Sequence, residues 1–89
     1  MKATISVDNI HDRSAQSIQV KRLLRRLNCD VLRSAFVSNN RMELFVVANN
    51  CKKQEDLKDN IIEQEATLEE GNVPTNEIGS RKIYLRFKG

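Results

Sequence analysis

The chain has 89 residues, of which 39% are hydrophobic, 30% charged and only 4% aromatic, so one small domain over residues 1–89 is expected. The longest uninterrupted apolar run, Leu44 to Ala48, has five residues, whereas a transmembrane helix needs roughly 20. This argues against a membrane-spanning helix, and because the first residues lack the pattern of a secretory signal, a cytoplasmic location is predicted.

The first two predicted elements are a strand and a helix. Residues Lys2 to Asp8 alternate apolar and polar side chains, which is the period of a strand with one buried face. Asp12 or Ser14 can then cap a helix over residues 14–28, because a short side-chain oxygen accepts hydrogen bonds from the free amides of the first turn. Four apolar residues at i, i+3, i+4 and i+7 form one stripe of this helix: Val20, Leu23, Leu24 and Leu27.

A β-hairpin is predicted next. Residues 31–38 and 42–48 are rich in β-branched and aromatic side chains. Between them, Asn39 and Asn40 can adopt the positive φ angles of a two-residue turn. We therefore expect the second and third strands to pair directly.

The remainder of the chain predicts a polar helix, a loop and a fourth strand. A helix over residues 51–69 follows Asn49-Asn50 and has a short apolar stripe. Residues 71–80 contain Pro74 and two of the three glycines, which is typical of a loop. The fourth strand alternates apolar with polar residues, Ile83, Leu85 and Phe87 with Lys82, Tyr84, Arg86 and Lys88.

The resulting order β-α-β-β-α-β predicts an α+β fold of the ferredoxin-like type. Its expected sheet is four-stranded and antiparallel, in the order 4-1-3-2. Both helices are polar on one side, so they are expected to cover the same face of the sheet. The other face is then left open to water or to a ligand.

Charge is distributed unevenly along the sequence. Fifteen Lys and Arg against twelve Asp and Glu give a net charge of +3. Residues 54–77, however, contain eight acidic residues and one lysine, and the rest of the chain carries a net +10. The sequence therefore predicts an acidic segment set into a basic protein, for which an anionic partner is one explanation.

The first helix predicts a basic surface. Four cations occupy an arc of about 140° opposite the apolar stripe, at about 100° per residue: Lys21, Arg22, Arg25 and Arg26. The arc is either an ordinary solvated helix face or a surface that contacts phosphates. Ile18 falls in the same arc, where it could anchor a protein partner.

The outward side of the fourth strand predicts a second basic surface. Tyr84 stands among Lys82, Arg86 and Lys88, with Lys2 of the first strand beside them. A ring flanked by cations suits stacking on an unpaired base, and Phe45 of the third strand could add a second ring. The alternative is an edge strand that its charges protect from pairing with other chains.

Two strings, Ile5 to Ile10 and Arg41 to Ala48, resemble the two ribonucleoprotein motifs of the RNA-recognition-motif family. The resemblance implies base stacking on the open face of a ferredoxin-like sheet. Phe45 stands where that family has an aromatic residue, whereas Ser6 and Glu43 stand at two other aromatic positions. Together the strings cover 14 residues of the chain.

No catalytic or cofactor motif stands out. His11 is the sole histidine, and no glycine occurs before Gly71, so neither a multi-histidine metal site nor a glycine-rich phosphate loop is predicted. Cys29 and Cys51 are expected to be free thiols in a reducing compartment. Cys51 near a helix start is either a reactive thiol or a small core residue.

Two functions follow as expectations. The first is a non-enzymatic protein without cofactor or metal that binds RNA or single-stranded DNA through the basic helix and the basic, aromatic sheet edge. The second is a regulatory module, an inhibitor or adaptor, that binds another protein or a second copy of itself through its segregated charges and Ile18.

Overall fold

The computed structural model describes residues 1–64 and 82–87, which form six elements in the predicted order. They are β1 (Lys2–Asp8), α1 (Arg13–Arg26), β2 (Cys29–Phe36), β3 (Met42–Ala48), α2 (Gln54–Gln64) and β4 (Lys82–Arg86). The predicted bounds of β1 and β3 are confirmed, and β2 begins two residues before the predicted strand. Lys88, the loop predicted at 71–80 and the predicted end of the second helix lie outside the described residues.

The four strands form one mixed sheet in the order β2-β3-β1-β4. β3 pairs antiparallel with both β1 and β2, whereas β1 and β4 run parallel. The prediction of an all-antiparallel, ferredoxin-like sheet is therefore wrong. β1 and β3 are the inner strands, and the positions read from the β4 edge are 4-1-3-2, so the difference is the direction of β4. The coarser prediction of an α+β fold with a four-stranded sheet and two helices is confirmed.

Two contacts hold the end of β4 against the end of β1. The amide of Phe87 donates to the carbonyl of Asp8 at 3.1 Å, and the side-chain amide of Asn9 donates to the carbonyl of Phe87 at 2.6 Å. Asn9 has a φ of 63°, a left-handed conformation that asparagine tolerates better than most residues. The turn after β1 thus places the side-chain amide of Asn9 beside the end of β4, the strand that runs parallel to β1.

The core lies between the sheet and both helices. The inward side chains of the strands share one buried cluster with residues of α1 and α2, including Ile5, Leu44, Leu85, Val20, Leu24, Leu57 and Ile61. Phe87 is the largest fully buried side chain. Because the strands alternate, the helices cover the face that carries these residues, and the opposite face has no helix over it in the described part of the chain.

Capping determines where α1 begins and ends. Asp12, one of the two predicted caps, accepts a hydrogen bond from the amide of Ala15 at 3.0 Å. Gln16 is buried, and its side-chain oxygen accepts from the amides of His11 and Asp12 at 2.5 and 2.8 Å. After the helix, Asn28 has a φ of 61°, which ends α1 two residues before the predicted limit.

The β2-β3 connection differs from the predicted two-residue turn. Asn9 and Asn28 are the only described non-glycine residues with positive φ, so the expectation for Asn39 and Asn40 is wrong. The amide of Val37 instead donates to the carbonyl of Arg41 at 3.0 Å. The longer loop allows the carbonyl of Asn40 to accept from the amide of Ile10 at 2.9 Å, which ties the hairpin to the β1-α1 turn.

α2 begins at Gln54, three residues later than predicted. The carboxylate of Asp56 accepts a hydrogen bond from the amide of Lys53 at 3.3 Å, so the turn over 51–53 precedes the helix instead of starting it. Within residues 1–64 and 82–87, no helix is both long enough and apolar enough to cross a bilayer.

Candidate nucleic-acid interface

The cations predicted to bind nucleic acid lie on two opposite sides of the molecule. α1 packs Val20, Leu23 and Leu24 against the inner face of the sheet, so its exposed side faces away from the sheet. Tyr84 lies between the inward-facing Ile83 and Leu85 and therefore points to the helix-free side. A single short ligand cannot touch both surfaces.

The helix surface, defined as Lys21, Arg22, Arg25 and Arg26, is exposed along its whole length. α1 contains no acidic residue. None of the four cations forms an ion pair with a residue in the described ranges 1–64 and 82–87. Ile18 is 49% exposed beside them, as the helical wheel predicts. Positive charge on this side is therefore not neutralised by a neighbouring described carboxylate.

The open face, defined as the outward side of the four strands, carries an aromatic ring beside a cation. Phe45 of β3 is 36% exposed, and the guanidinium carbon of Arg33 lies 4.6 Å from the centroid of its ring. Phe45 pairs with Arg33 on one side and Thr4 on the other, so the ring lies over the inner strands. This distance is within the range of a cation–π interaction.

A groove of about 460 Å³ opens next to this ring. It is lined by Lys2, Ala3, Thr4, Leu32, Arg33, Phe45 and Val46. Its walls combine apolar side chains with two cations. Sequence reasoning had singled out Phe45 and Lys2 but missed Leu32, Arg33 and Thr4.

The groove depends on a β-bulge in β2. Val31 pairs with Val46 and Arg33 pairs with Phe45, so Leu32 is an extra residue with no partner. As a result Leu32 and Arg33 are both exposed, and Leu32 is 61% exposed. In the sequence, the one sign of the bulge is Leu32 itself, an apolar residue between Val31 and Arg33 in a stretch that reads as a complete strand without it.

Tyr84 supplies a second ring on the open face. It pairs with Ser6 of β1, whose side chain is 2% exposed. Tyr84 and Phe45 flank β1 from opposite sides and are offset by two residues along it, which places their Cα atoms roughly 12 Å apart by strand spacing and rise. Tyr84 is only half-buried, so part of its ring is accessible.

An ion pair joins β4 to β3 across β1, beside Tyr84 and Phe45. The ammonium of Lys82 donates to the carboxylate of Glu43 at 2.5 Å. This hydrogen bond raises the pKa of Lys82 above its ordinary value. Lys82 was predicted to contact nucleic acid, and the structure places its charge against Glu43.

A second ion pair lies at the end of the open face where β1 ends. The guanidinium of Arg41 donates to both carboxylate oxygens of Asp8, and this hydrogen bonding raises the pKa of Arg41. Arg86 is exposed on β4, the predicted position, and Lys88 lies outside the described residues. Three cations of the open face have no ion-pair partner among the described residues: Lys2, Arg33 and Arg86.

The cysteines are buried and free. Burial is the main cause that raises the pKa of the Cys29 thiol, and the nearby Cys51 and Asp30 add to it. Cys51 precedes α2 by three residues and accepts a hydrogen bond from the side-chain amide of Asn60 at 3.5 Å. This placement favours the core interpretation of Cys51 over a reactive thiol.

Residues that could hold a metal ion are not grouped in the described ranges, where no three His, Cys, Asp or Glu side chains come together. His11 is exposed in the turn before α1.

No protein-family model, no curated protein and no solved structure matches this chain. The resemblance to RNA-recognition motifs thus receives no support from comparison. At its two other aromatic positions the structure has a buried Ser6 and a Glu43 that pairs with Lys82.

Proposed function

We propose that the protein is a non-enzymatic binding protein whose open face holds single-stranded RNA or DNA. The observation that carries the proposal is the exposed Phe45 ring with the Arg33 guanidinium 4.6 Å from its centroid, both of which line a groove of about 460 Å³. Aromatic rings beside cations are the usual means by which proteins hold unpaired bases.

Stacking supplies the affinity for the base. A base can stack on the exposed part of the Phe45 ring or on the planar guanidinium of Arg33, both of which line the groove. Small-molecule sites occupy about 300–1,000 Å³, so the groove has room for one base with part of its sugar. Tyr84 offers a second stacking surface on the far side of β1.

The unpaired cations supply affinity for the backbone. Lys2 and Arg33 line the groove, and Arg86 lies at the β4 edge. Such contacts position a strand without reading its sequence. Asp8 and Glu43, which would repel phosphates, are each paired with a cation.

The direct test is a titration of fluorescent eight-nucleotide RNA and DNA, followed by anisotropy at two salt concentrations. With three phosphate contacts, the affinity for a single strand should fall roughly 20-fold between 50 and 200 mM salt. Absence of binding at 50 mM salt would refute the proposal.

A matched pair of variants locates the site. Loss of one stacking ring costs about 1–3 kcal/mol, so Phe45→Ala should weaken binding roughly 5- to 150-fold. Val37→Ala is the control, because Val37 is also an exposed apolar residue, 53% exposed, but does not line the groove. Equal losses in both variants would remove the groove from the site.

The alternative function is a regulatory protein-interaction module, either an inhibitor or adaptor or a homodimer. It is supported by exposed apolar side chains on two surfaces, Ile18 on α1 and Leu32 on the edge strand β2, at 49% and 61% exposure. Glu55, Asp56 and Asp59 of α2 are exposed and could face a basic partner.

Light scattering of nuclease-treated protein tests the homodimer form of this alternative. A dimer mass that returns to the monomer mass in Ile18→Asp or Leu32→Asp would support it. A monomer mass at all concentrations, together with salt-sensitive oligonucleotide binding, would count against the homodimer and favour the open-face proposal.

A further inference from the structure

Binding of a strand to the open face would leave the helix surface unoccupied on the opposite side. We propose that the helix surface is a second nucleic-acid site, which contacts phosphates only, so that one molecule holds two strands at once. The inference rests on the proposed function, because it takes the ligand class from the open face.

Charge on the helix surface exceeds what α1 needs for its own stability. Cations in the last turn interact favourably with the helix dipole, which accounts for Arg25 and Arg26. Lys21 and Arg22 lie a turn earlier, and no carboxylate on α1 pairs with them. Arg13 at the helix start is different, because its guanidinium lies 4.2 Å from the centroid of the Phe36 ring.

Spacing along α1 fits a phosphate backbone. Lys21 and Arg22 form one pair of cations and Arg25 and Arg26 form the next, about 6 Å further along the axis at 1.5 Å per residue. This separation is comparable to that of successive phosphates on a strand. α1 has no aromatic residue on which a base could stack, and contacts to phosphates alone would be independent of sequence.

The two surfaces together imply an activity that neither has alone. The sheet and the core lie between them, so a strand on the open face and a strand on α1 cannot compete for the same side chains. A protein that holds two strands brings them to high local concentration. We therefore expect the protein to bridge single strands.

Capture of one strand by another tests bridging with the full chain. A biotinylated 20-nucleotide oligo(U) is fixed to beads, protein is added, and retention of a fluorescent oligo(U) is measured. Oligo(U) does not pair with itself, so retention requires a protein bridge. The double variant Arg22→Gln/Arg26→Gln should retain at least 10-fold less, because it removes two phosphate contacts.

Controls separate this inference from the proposed function. The matched double variant Lys52→Gln/Lys53→Gln also removes two positive charges, from exposed lysines that lie outside the helix surface, and should retain strands as the unmodified protein does. A six-nucleotide oligo(U) should still bind Arg22→Gln/Arg26→Gln through the open face, and adding Phe45→Ala to this variant should weaken that remaining binding. Circular dichroism confirms that the variants are folded.

Each outcome has one meaning. Hexamer binding without strand retention overturns bridging and leaves the proposed function standing. Retention that persists in Arg22→Gln/Arg26→Gln, as two open faces of a dimer would produce, also overturns it. Equal loss of hexamer binding and retention in that variant would mean one shared site. If the unmodified protein binds neither oligonucleotide, both proposals fail.

Discussion

The open face and the helix surface are both basic, but they differ in what surrounds the cations. On the open face, Arg41 and Lys82 are paired with Asp8 and Glu43, and Arg33 lies over a ring. On the helix surface the cations have no described acidic partner and no ring. The first arrangement can place a base as well as a phosphate, whereas the second offers charge alone. What a surface can recognise therefore depends more on the groups beside each cation than on how many cations the surface has.

The largest effect is expected from a substitution in the hydrophobic core, which lies between the two surfaces. Leu24 of α1 is fully buried in the core, so Leu24→Ala should lower the free energy of unfolding by about 2–5 kcal/mol. Urea denaturation measures this loss. Both surfaces should fail together in this variant, in contrast to the single-surface variants above. A loss below about 0.5 kcal/mol would mean that the core is not packed as described.

Deletion of one residue in β2 should impair the groove without unfolding the protein. Leu32 has no partner, so without it Val31 and Arg33 would be consecutive residues paired with the consecutive Val46 and Phe45. We expect the Leu32 deletion to remain folded and to bind oligonucleotides roughly 10-fold more weakly, since the groove loses a wall. Anisotropy and urea denaturation give the two readouts.

Deletion of Ser34 is the matched control for the bulge. Ser34 pairs with Leu44, and when the bulge absorbs its removal, Leu32 pairs with Phe45 and Arg33 turns to the core side opposite Leu44. A cation on the core side is costly to bury, so this variant should unfold at much lower urea concentration. If the two deletions were equally harmful, the bulge would not be a separable feature of β2.

A smaller effect is expected from the ion pair that crosses the open face. Glu43→Gln removes a carboxylate charge from the open face, so a phosphate bound there meets less repulsion. Oligonucleotide affinity should rise about two- to threefold at low salt, and the salt dependence should steepen by nearly one phosphate contact. Retention of a second strand should rise by no more than this factor, because the helix surface is unchanged. Weaker binding would instead show that Glu43 itself contacts the ligand.

The smallest effect concerns the buried thiol at the start of β2. Because burial raises the pKa of Cys29, the folded state favours the neutral thiol. This contribution to stability is complete below the ordinary thiol pKa of 9.0 and is lost as pH rises through the raised value. The difference in urea midpoint between the unmodified protein and Cys29→Ala should therefore be constant below pH 9 and should shift in favour of Cys29→Ala above it. A constant difference up to pH 11 would contradict the burial argument.

Local features of the fold were predictable from particular residues. The alternation of Lys2 to Asp8, the stripe from Val20 to Leu27 and the Asp12 cap each arise from neighbours along the chain. The prediction of an Asn39-Asn40 turn was wrong, and the carbonyl of Asn40 accepts a hydrogen bond from the amide of Ile10, a residue far away in the chain. For the candidate site, the sequence indicated Phe45, Tyr84 and the four cations of α1, and the hypothesis assigned both surfaces to one nucleic-acid ligand although the predicted fold already placed them on opposite sides.

What the sequence by itself determined was the order of the elements, the inward side of each strand and the basic stripe of α1, because these depend on periods of two and 3.6 residues. Only the tertiary structure decided the direction of β4, since the alternation of Ile83, Leu85 and Phe87 reads the same in both directions. It also decided the bulge at Leu32 and the meeting of Arg33 with Phe45. Such contacts join residues far apart in the chain, and their pairing is set by how whole strands fit the shared core.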